Sequence, residues 1–448
     1  MRDTSGARLS RRTVVWGGVA LGTRALIGCV PGSSYPTDVP EVPLSLAFPL
    51  GVASGDVTDR QAVLWTRYVG AEPLRLSVSL LAPDGRSEPV MDQPLWSGRD
   101  GFIHARVEGL VPGARYGFTF QEDGGERALA SGEFRAAMAP MARERMIFSA
   151  SACSRNRRRF GALLQASARG ADVHVLLGDT VYADGSRTIE DYRARWTENL
   201  GTGAYRTLRA KRSLLATWDD HEISNDWSGM NLDPELVDHG RATFFEHTPM
   251  RREPTEPSRV WRSIRWGLTA EFFILDGRSE RRPETRGTPE AEYLSPAQLT
   301  WLMEGLKASP SRFKVLVNSV PIGDFPDTFA ETERDRWTGY PAQREALLTF
   351  IEDNRIPGIF FVSGDFHMAS LGRVAMDGPG STLVEVLAGP VACARSNPVW
   401  EQCRAPQFEF ASPTENAGFF ELDPETGEVR VSWLAADGSL LAERSFRV

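Results

Sequence analysis

The chain has 448 residues, 41% of them hydrophobic and 25% charged, which fits a soluble globular protein long enough for two or three domains. A formal net charge of -8 gives no footprint for nucleic acid. Lysine occurs only at 211, 307 and 314, so arginine carries nearly all the positive charge.

Near the amino terminus, Ser10-Arg11-Arg12-Thr13-Val14-Val15 precedes a mildly apolar, glycine-containing run from Trp16 to Gly28. A basic stretch before a short apolar one is the pattern of a secretory signal. Paired arginines behind a serine point to the twin-arginine export machinery, which carries folded proteins. The run is too short to span a bilayer, and Arg24 interrupts it. Leu26-Ile27-Gly28-Cys29 resembles a lipobox, so residues 1–29 are expected to be a signal segment. Either Cys29 is acylated, the one membrane attachment expected, or ordinary cleavage occurs near it. Pro31, Pro36, Pro40 and Pro43 mark 30–45 as an extended linker. The protein is therefore expected in the periplasm or at the cell surface.

Residues 46–140 carry short strands and turns. Segments 62–66 and 74–80 read as strands, the second with clear alternation, and Pro83-Asp84-Gly85 is a turn. Segment 107–116 resembles the strand–turn–strand corner of fibronectin type III domains. A fibronectin III/Ig-like β-sandwich of about 90 residues fits.

From Met146 the pattern changes to strands alternating with helices, an α/β domain over 145–448 with largely parallel pairing near its centre. Strands are expected at 146–150, 173–177, 213–217, 271–275, 313–319 and 358–362. Helices are expected at 157–169, 189–199, 239–247, 296–307 and 341–354, and glycine-punctuated strands, including 419–422 and 429–434, close the chain.

Polar clusters follow the strands. Val173 to Leu177 runs into Gly178-Asp179, with Tyr182 three residues on, and a phenolate oxygen there can share a metal ion with the carboxylate. The other strands lead to Ser151-Ala152-Cys153-Ser154-Arg155-Asn156, to Trp218-Asp219-Asp220-His221-Glu222-Ile223-Ser224-Asn225, to Asp276-Gly277-Arg278 and to Ser363-Gly364-Asp365-Phe366-His367. One such cluster is ordinary, whereas five on one rim form a single site, because buried carboxylates are costly without cations.

With Gly51-Val52-Ala53-Ser54-Gly55-Asp56 added, this ordered set resembles the alkaline phosphatase D (PhoD-like) family of metallophosphoesterases over residues 46–448. The resemblance implies an αββα two-sheet catalytic domain with a two-metal site, Fe(3+) and Ca(2+), another divalent metal being the alternative at the second position. It implies hydrolysis of phosphomonoesters or phosphodiesters by a metal-bound hydroxide. Carried over by position, Cys153 and Tyr182 hold the ferric ion, Asp179 bridges both metals, and His367 completes the iron side. Asp220 and Asp365 supply oxygens to the second metal, His221 is the outer acid that protonates the leaving alkoxide, and Asn225 and Arg155 hold phosphate oxygens. The run Asn318-Ser319-Val320-Pro321-Ile322 lacks the histidine that many metallophosphoesterases carry there, which agrees with an oxygen-rich second position.

His104, His174, His239 and His247 have no such setting and read as structural. The loop containing Asp276 and Arg278 is explained equally well by an Asp–Arg brace. An oxidising destination favours pairing of spare thiols. With Cys29 at the signal boundary and Cys153 in the site, Cys393 and Cys403 are left for a disulfide, two buried free thiols being the alternative. Two other functional readings stay open: a phospholipase D-type activity on phospholipid head groups, and a ligand-binding surface lipoprotein without turnover.

Overall fold

The structure, a computed structural model, describes residues 7–8, 39–98, 100–123, 129–155, 159–229, 231–326, 335–393 and 399–448. The twin-arginine stretch, Cys29, most of the proline-rich linker and Asn156 lie outside these residues.

The first region contributes β1 (Ala7–Arg8), β2 (Val52–Gly55), β3 (Gln61–Arg67), β4 (Leu74–Leu81), β5 (Ser87–Leu95), β6 (Phe102–Glu108), β7 (Arg115–Glu122) and β8 (Leu129–Arg135). The central region follows with β9 (Met146–Ser151), α1 (Gly161–Ala168), β10 (Val173–Leu176), α2 (Ile189–Leu200), α3 (Gly203–Lys211), β11 (Ser213–Ala216) and α4 (Pro234–His247). Next come β12 (Arg262–Trp266), β13 (Ala270–Ile274), α5 (Pro296–Ala308), β14 (Phe313–Val317), α6 (Pro341–Asp353), β15 (Ile359–Ser363), β16 (Ala369–Arg373) and β17 (Val384–Leu387). The chain closes with α7 (Val399–Gln402), β18 (Phe408–Ser412), β19 (Asn416–Asp423), β20 (Glu428–Ala435) and β21 (Leu440–Arg447).

The central strands read as unbroken apolar runs because both of their faces are covered. In β13 and β14, Ala270, Phe272, Ile274, Phe313, Val315 and Val317 face a core that they share with Phe148, Ala150, Val173 and Val175 of β9 and β10. Phe273 and Leu316 point the other way, onto Leu302, Leu306 and Leu347 of α5 and α6. Leu176 and Leu214 of β10 and β11 likewise meet Leu163, Trp196, Leu208 and Phe244 of α1 to α4. Two sheets thus lie face to face with helices on their outer faces. The first has the order β1-β6-β3-β2-β11-β10-β9-β19-β20-β21, the second β12-β13-β14-β15-β17-β16-β18.

A four-stranded sheet, β5-β4-β7-β8, packs on the β2-β3-β6 end of the first sheet through Phe48, Leu64, Leu76, Val107, Phe118 and Phe134. That end is continuous with the central strands, because β2 pairs in parallel with β11 (Ser213 with Ser54, Leu214 with Gly55).

Parallel register places the site. Leu176 lies opposite Ser151 and Ala216, so the chain leaves β9, β10 and β11 at one edge. Val317 lies opposite Ile274 and Val362, so β13, β14 and β15 also end together. Helix α3 is absent from the sequence expectation, because only Gly201-Thr202 separates it from α2; the Thr202 hydroxyl caps it by accepting from the Tyr205 amide. Helix α4 starts at Pro234 rather than 239, since Asp233 caps it and proline suits its first turn.

Candidate metal centre

The loop after each of the strands β9, β10, β11 and β15 delivers donor side chains to this rim. Cys153, Asp179, Asp365 and His367 have φ of 57°, 54°, 62° and 51°, four of the seven non-glycine residues with positive φ among those described. Such conformations cost about 1–3 kcal/mol each and persist where surroundings enforce them. Glu222, fully buried, is one enforcer. Its Oε2 accepts from the Asp179 amide at 3.1 Å and the Asp219 amide at 2.9 Å, while Oε1 accepts from the Thr180 amide at 2.5 Å. A single carboxylate thereby fixes the β10 and β11 loops together.

Two donor groups share Asp179. Ligand atoms of Cys153, Asp179 and His367 lie within 4.8 Å of one another, and so do those of Asp179, Asp220 and His221. Tyr182 joins the first group: its hydroxyl donates to Asp179 Oδ2 at 3.1 Å and lies 3.2 Å from His367 Nε2. The other carboxylate oxygen of Asp179, Oδ1, is buried without a hydrogen-bond partner. A buried carboxylate oxygen without a partner, on a side chain grouped with thiol, phenol and imidazole donors, suits a cation and little else. The thiol and phenol suit a soft or highly charged ion such as ferric iron on the first side.

Burial raises the Asp179 carboxyl well above the usual carboxylate range; Asp220, Asp219 and Glu222 add to this and His221 opposes it. Burial likewise pushes Asp365 up to about 8, reinforced by Asp219 and Asp220. Asp365 falls in neither donor group. Asp220 is held down to about 2 despite its burial, because Arg278 and His221 stabilise its charge. His221 stacks on the Tyr182 ring at 4.0 Å, and its Nδ1 lies 2.7 Å from Asp184 Oδ2. Burial disfavours the imidazolium, but Asp179, Asp184 and Asp220 outweigh it and raise its pKa to about 11. Arg155 is exposed at the rim, with its guanidinium 6.0 Å from the Tyr182 ring centre. Asn225 is also exposed, and its amide donates to Asp184 Oδ1 at 2.7 Å.

The expected disulfide between Cys393 and Cys403 does not form; neither of them, nor Cys153, is in a disulfide. The two side chains serve different places. Cys403 packs with Phe366, Met368, Val399 and Phe408, while Cys393 Sγ lies 3.4 Å from His367 Nε2 and 3.7 Å from the Tyr182 hydroxyl. Cys393 and Asp184 are the site residues that sequence reasoning missed. Asp184 reads in sequence as half of an Asp-Gly turn, and the strand β17 that delivers Cys393 was not expected. His174 is structural as expected: it is buried, with one ring nitrogen 2.8 Å from Ser149 Oγ and the other 2.9 Å from Ser151 Oγ.

Asp276 and Arg278 do brace the site, though not by pairing with each other's charges. Asp276 Oδ1 accepts from Trp218 Nε1 at 2.8 Å and from the Arg278 and Ser279 amides at 3.1 and 3.0 Å. Arg278, fully buried, donates from Nε to Asp219 Oδ1 at 2.6 Å and binds Asp335. Arg278→Met should destabilise the protein by about 3–5 kcal/mol, since it strands the buried Asp219 carboxylate. Urea unfolding at pH 7 checks this, and a loss below 1 kcal/mol would show that Asp219 does not need the pair.

A four-layer α/β fold with oxygen, nitrogen and sulfur donors gathered on one strand-end rim defines the class, a two-sheet protein with a metal-type centre. Residues 147–436 match the PhoD-like phosphatase model and residues 37–138 that of its N-terminal domain, so the chain belongs to the PhoD-like phosphatase family. It is similar to alkaline phosphatase D of Bacillus subtilis (strain 168), with 24% identity across 74% of this chain and 66% of that protein. A solved structure of PhoD superposes with a TM-score of 0.77 at 20% identity, covering 90% of this chain and 91% of the other. The purple acid phosphatase PPD1 from yellow lupin (Lupinus luteus) seeds superposes with a TM-score of 0.63 at 13% identity, over 88% and 73% of the two chains. Both superpositions are likenesses of fold.

Proposed function

We propose that the protein is an exported, metal-dependent phosphoesterase acting on phosphomonoesters, phosphodiesters or both. The observation that carries this reading is Asp179 standing in both donor groups, with one oxygen bound by Tyr182 and the other buried without a hydrogen bond. Cys153, Tyr182, Asp179 and His367 would hold ferric iron, and Asp179 and Asp220 a second, calcium-type ion. Bound there, the ions would supply positive charge for the phosphoryl oxygens and acidify a water. Export rests on the Arg11-Arg12 signal, with Cys29 as a lipid anchor or a cleavage boundary.

The chain's own groups do the rest. Arg155, exposed beside Tyr182, would bind substrate phosphate oxygens, with Asn225 as a further candidate on the exposed rim. His221 acts as the acid. Asp184 holds its Nδ1 and leaves the other ring nitrogen for the leaving group. With Asp179 and Asp220 neutralised by cations, Asp184 is the remaining support for the imidazolium, which brings its acidity toward the working range of a general acid. His221→Ala should therefore slow esters with poor leaving groups by about 10²–10⁴-fold while sparing activated aryl esters. Equal losses on both would remove the acid role. Metal analysis of exported protein, followed by parallel monoester and diester assays, tests the function; metal-loaded protein inert toward both would refute it.

A further inference from the structure

We propose that Cys393 supplies a second thiolate to the metal ion held by Cys153, Asp179, Tyr182 and His367. The inference rests on the metal site proposed above. After β17 the chain turns back through Gly389 and Pro390 and zips onto the Cys153 loop. Val391 donates to the Ala152 carbonyl at 2.9 Å, Ala392 to the Cys153 carbonyl at 3.2 Å, and Arg155 to the Ala392 carbonyl at 2.9 Å. Ser154 and Ala392 form a parallel bridge. Asn416 pins the same turn from the other side, donating its amide to Pro390 at 2.8 Å and its side chain to Gly389 at 2.6 Å. The position of Cys393 is therefore fixed by backbone on two sides and is no accident of a loose loop.

Its sulfur arrives among donors. Cys393 Sγ, His367 Nε2 and Tyr182 Oη stand 3.4, 3.2 and 3.7 Å apart. Donors about 2.1 and 2.3 Å from one ion are separated by about 3.1 Å at a right angle and about 3.6 Å at a tetrahedral angle. The three separations fall in or next to that range, so one ion reaches these three atoms. Cys393 stands outside the group formed by Cys153, Asp179 and His367, so its thiol has to move toward an ion held there. Both thiols and the Tyr182 phenol release their protons to solvent on ligation. Two sulfurs, a phenol and an imidazole would commit this position to a thiophilic ion, while the Asp220 side keeps its oxygen donors.

The test is reconstitution of the intact protein with ferric iron. X-ray absorption at the iron edge should count two sulfur scatterers in the unmodified protein and one in Cys393→Ser. The iron dissociation constant should rise about 100-fold or more in that variant, since loss of even an outer partner of a ligand costs about 10–100-fold. Cys403→Ser, whose thiol packs among Phe366, Met368, Val399 and Phe408, should keep two sulfurs. One sulfur in the unmodified protein, a Cys153–Cys393 disulfide in loaded protein, affinity within twofold for Cys393→Ser, or no iron uptake would each overturn the assignment. Two sulfurs without phosphoesterase turnover would sink the functional reading and leave Cys393 a ligand. One sulfur with normal turnover would do the reverse.

Discussion

Asp179→Asn should strip both metal positions and lower turnover by on the order of 10³-fold or more. In other active sites one stabilising donor is worth about 10²–10³-fold, and this substitution removes a side chain that two donor groups share. The change is nearly isosteric, and the amide keeps only one of the two oxygens, of which Oδ2 is the acceptor that Tyr182 donates to. Its NH₂, however, would replace either that acceptor or Oδ1, the buried oxygen with no hydrogen bond. Asparagine tolerates the positive φ of position 179 as aspartate does, so the backbone should hold. The variant is then expected to be folded, metal-poor and inactive. Metal content, circular dichroism and turnover measured on one preparation check this. Full metal occupancy with near-normal turnover would remove Asp179 from the centre of the site.

Much of this site is legible in the sequence for a physical reason. Strands buried on both faces leave continuous apolar runs, and the residues just after each run land on the common rim. Leu176 opposite Ser151 and Ala216 is that rule in register form. Glu222 is visible beside His221, but its role is not, because three backbone amides from two loops converge on it only in three dimensions. The pairing expected of Cys393 fails for a related reason. Cysteines ten positions apart in one loop satisfy a pairing rule, but the β17 turn aims one thiol at His367 while the other settles beside Phe408. The continuity of β2 with β11 is equally hidden, since parallel pairing between distant segments has no local signal.

Removing metal should make stability fall as pH rises from 7 to 9, by several kcal/mol relative to loaded protein. In the folded chain, burial first and then neighbouring carboxylates push Asp179 well above, and Asp365 to about 8 from, the ordinary value of 3.8. An acid raised in this way stays protonated in the fold but ionises on unfolding, so the native state binds more protons than the unfolded chain. His221 acts with the same sign, raised to about 11 from 6.5 against its burial, chiefly by an ionised Asp179, so the two groups hold one excess native proton between them and that stabilisation is lost as pH rises toward 11. His367, lowered to about 4 by burial, has the opposite sign, but its effect is complete by pH 6.5 and does not enter the window. Each excess native proton contributes about 1.4 kcal/mol per pH unit. Cations that replace those protons leave the carboxylates ionised in both states, which removes most of the slope, and at a thousand times their dissociation constant add about 4 kcal/mol. Urea unfolding of chelator-treated and metal-restored protein at pH 7, 8 and 9 measures the difference. Parallel curves at all three pH values would show that the carboxylate cluster carries no excess protons and does not depend on a cation.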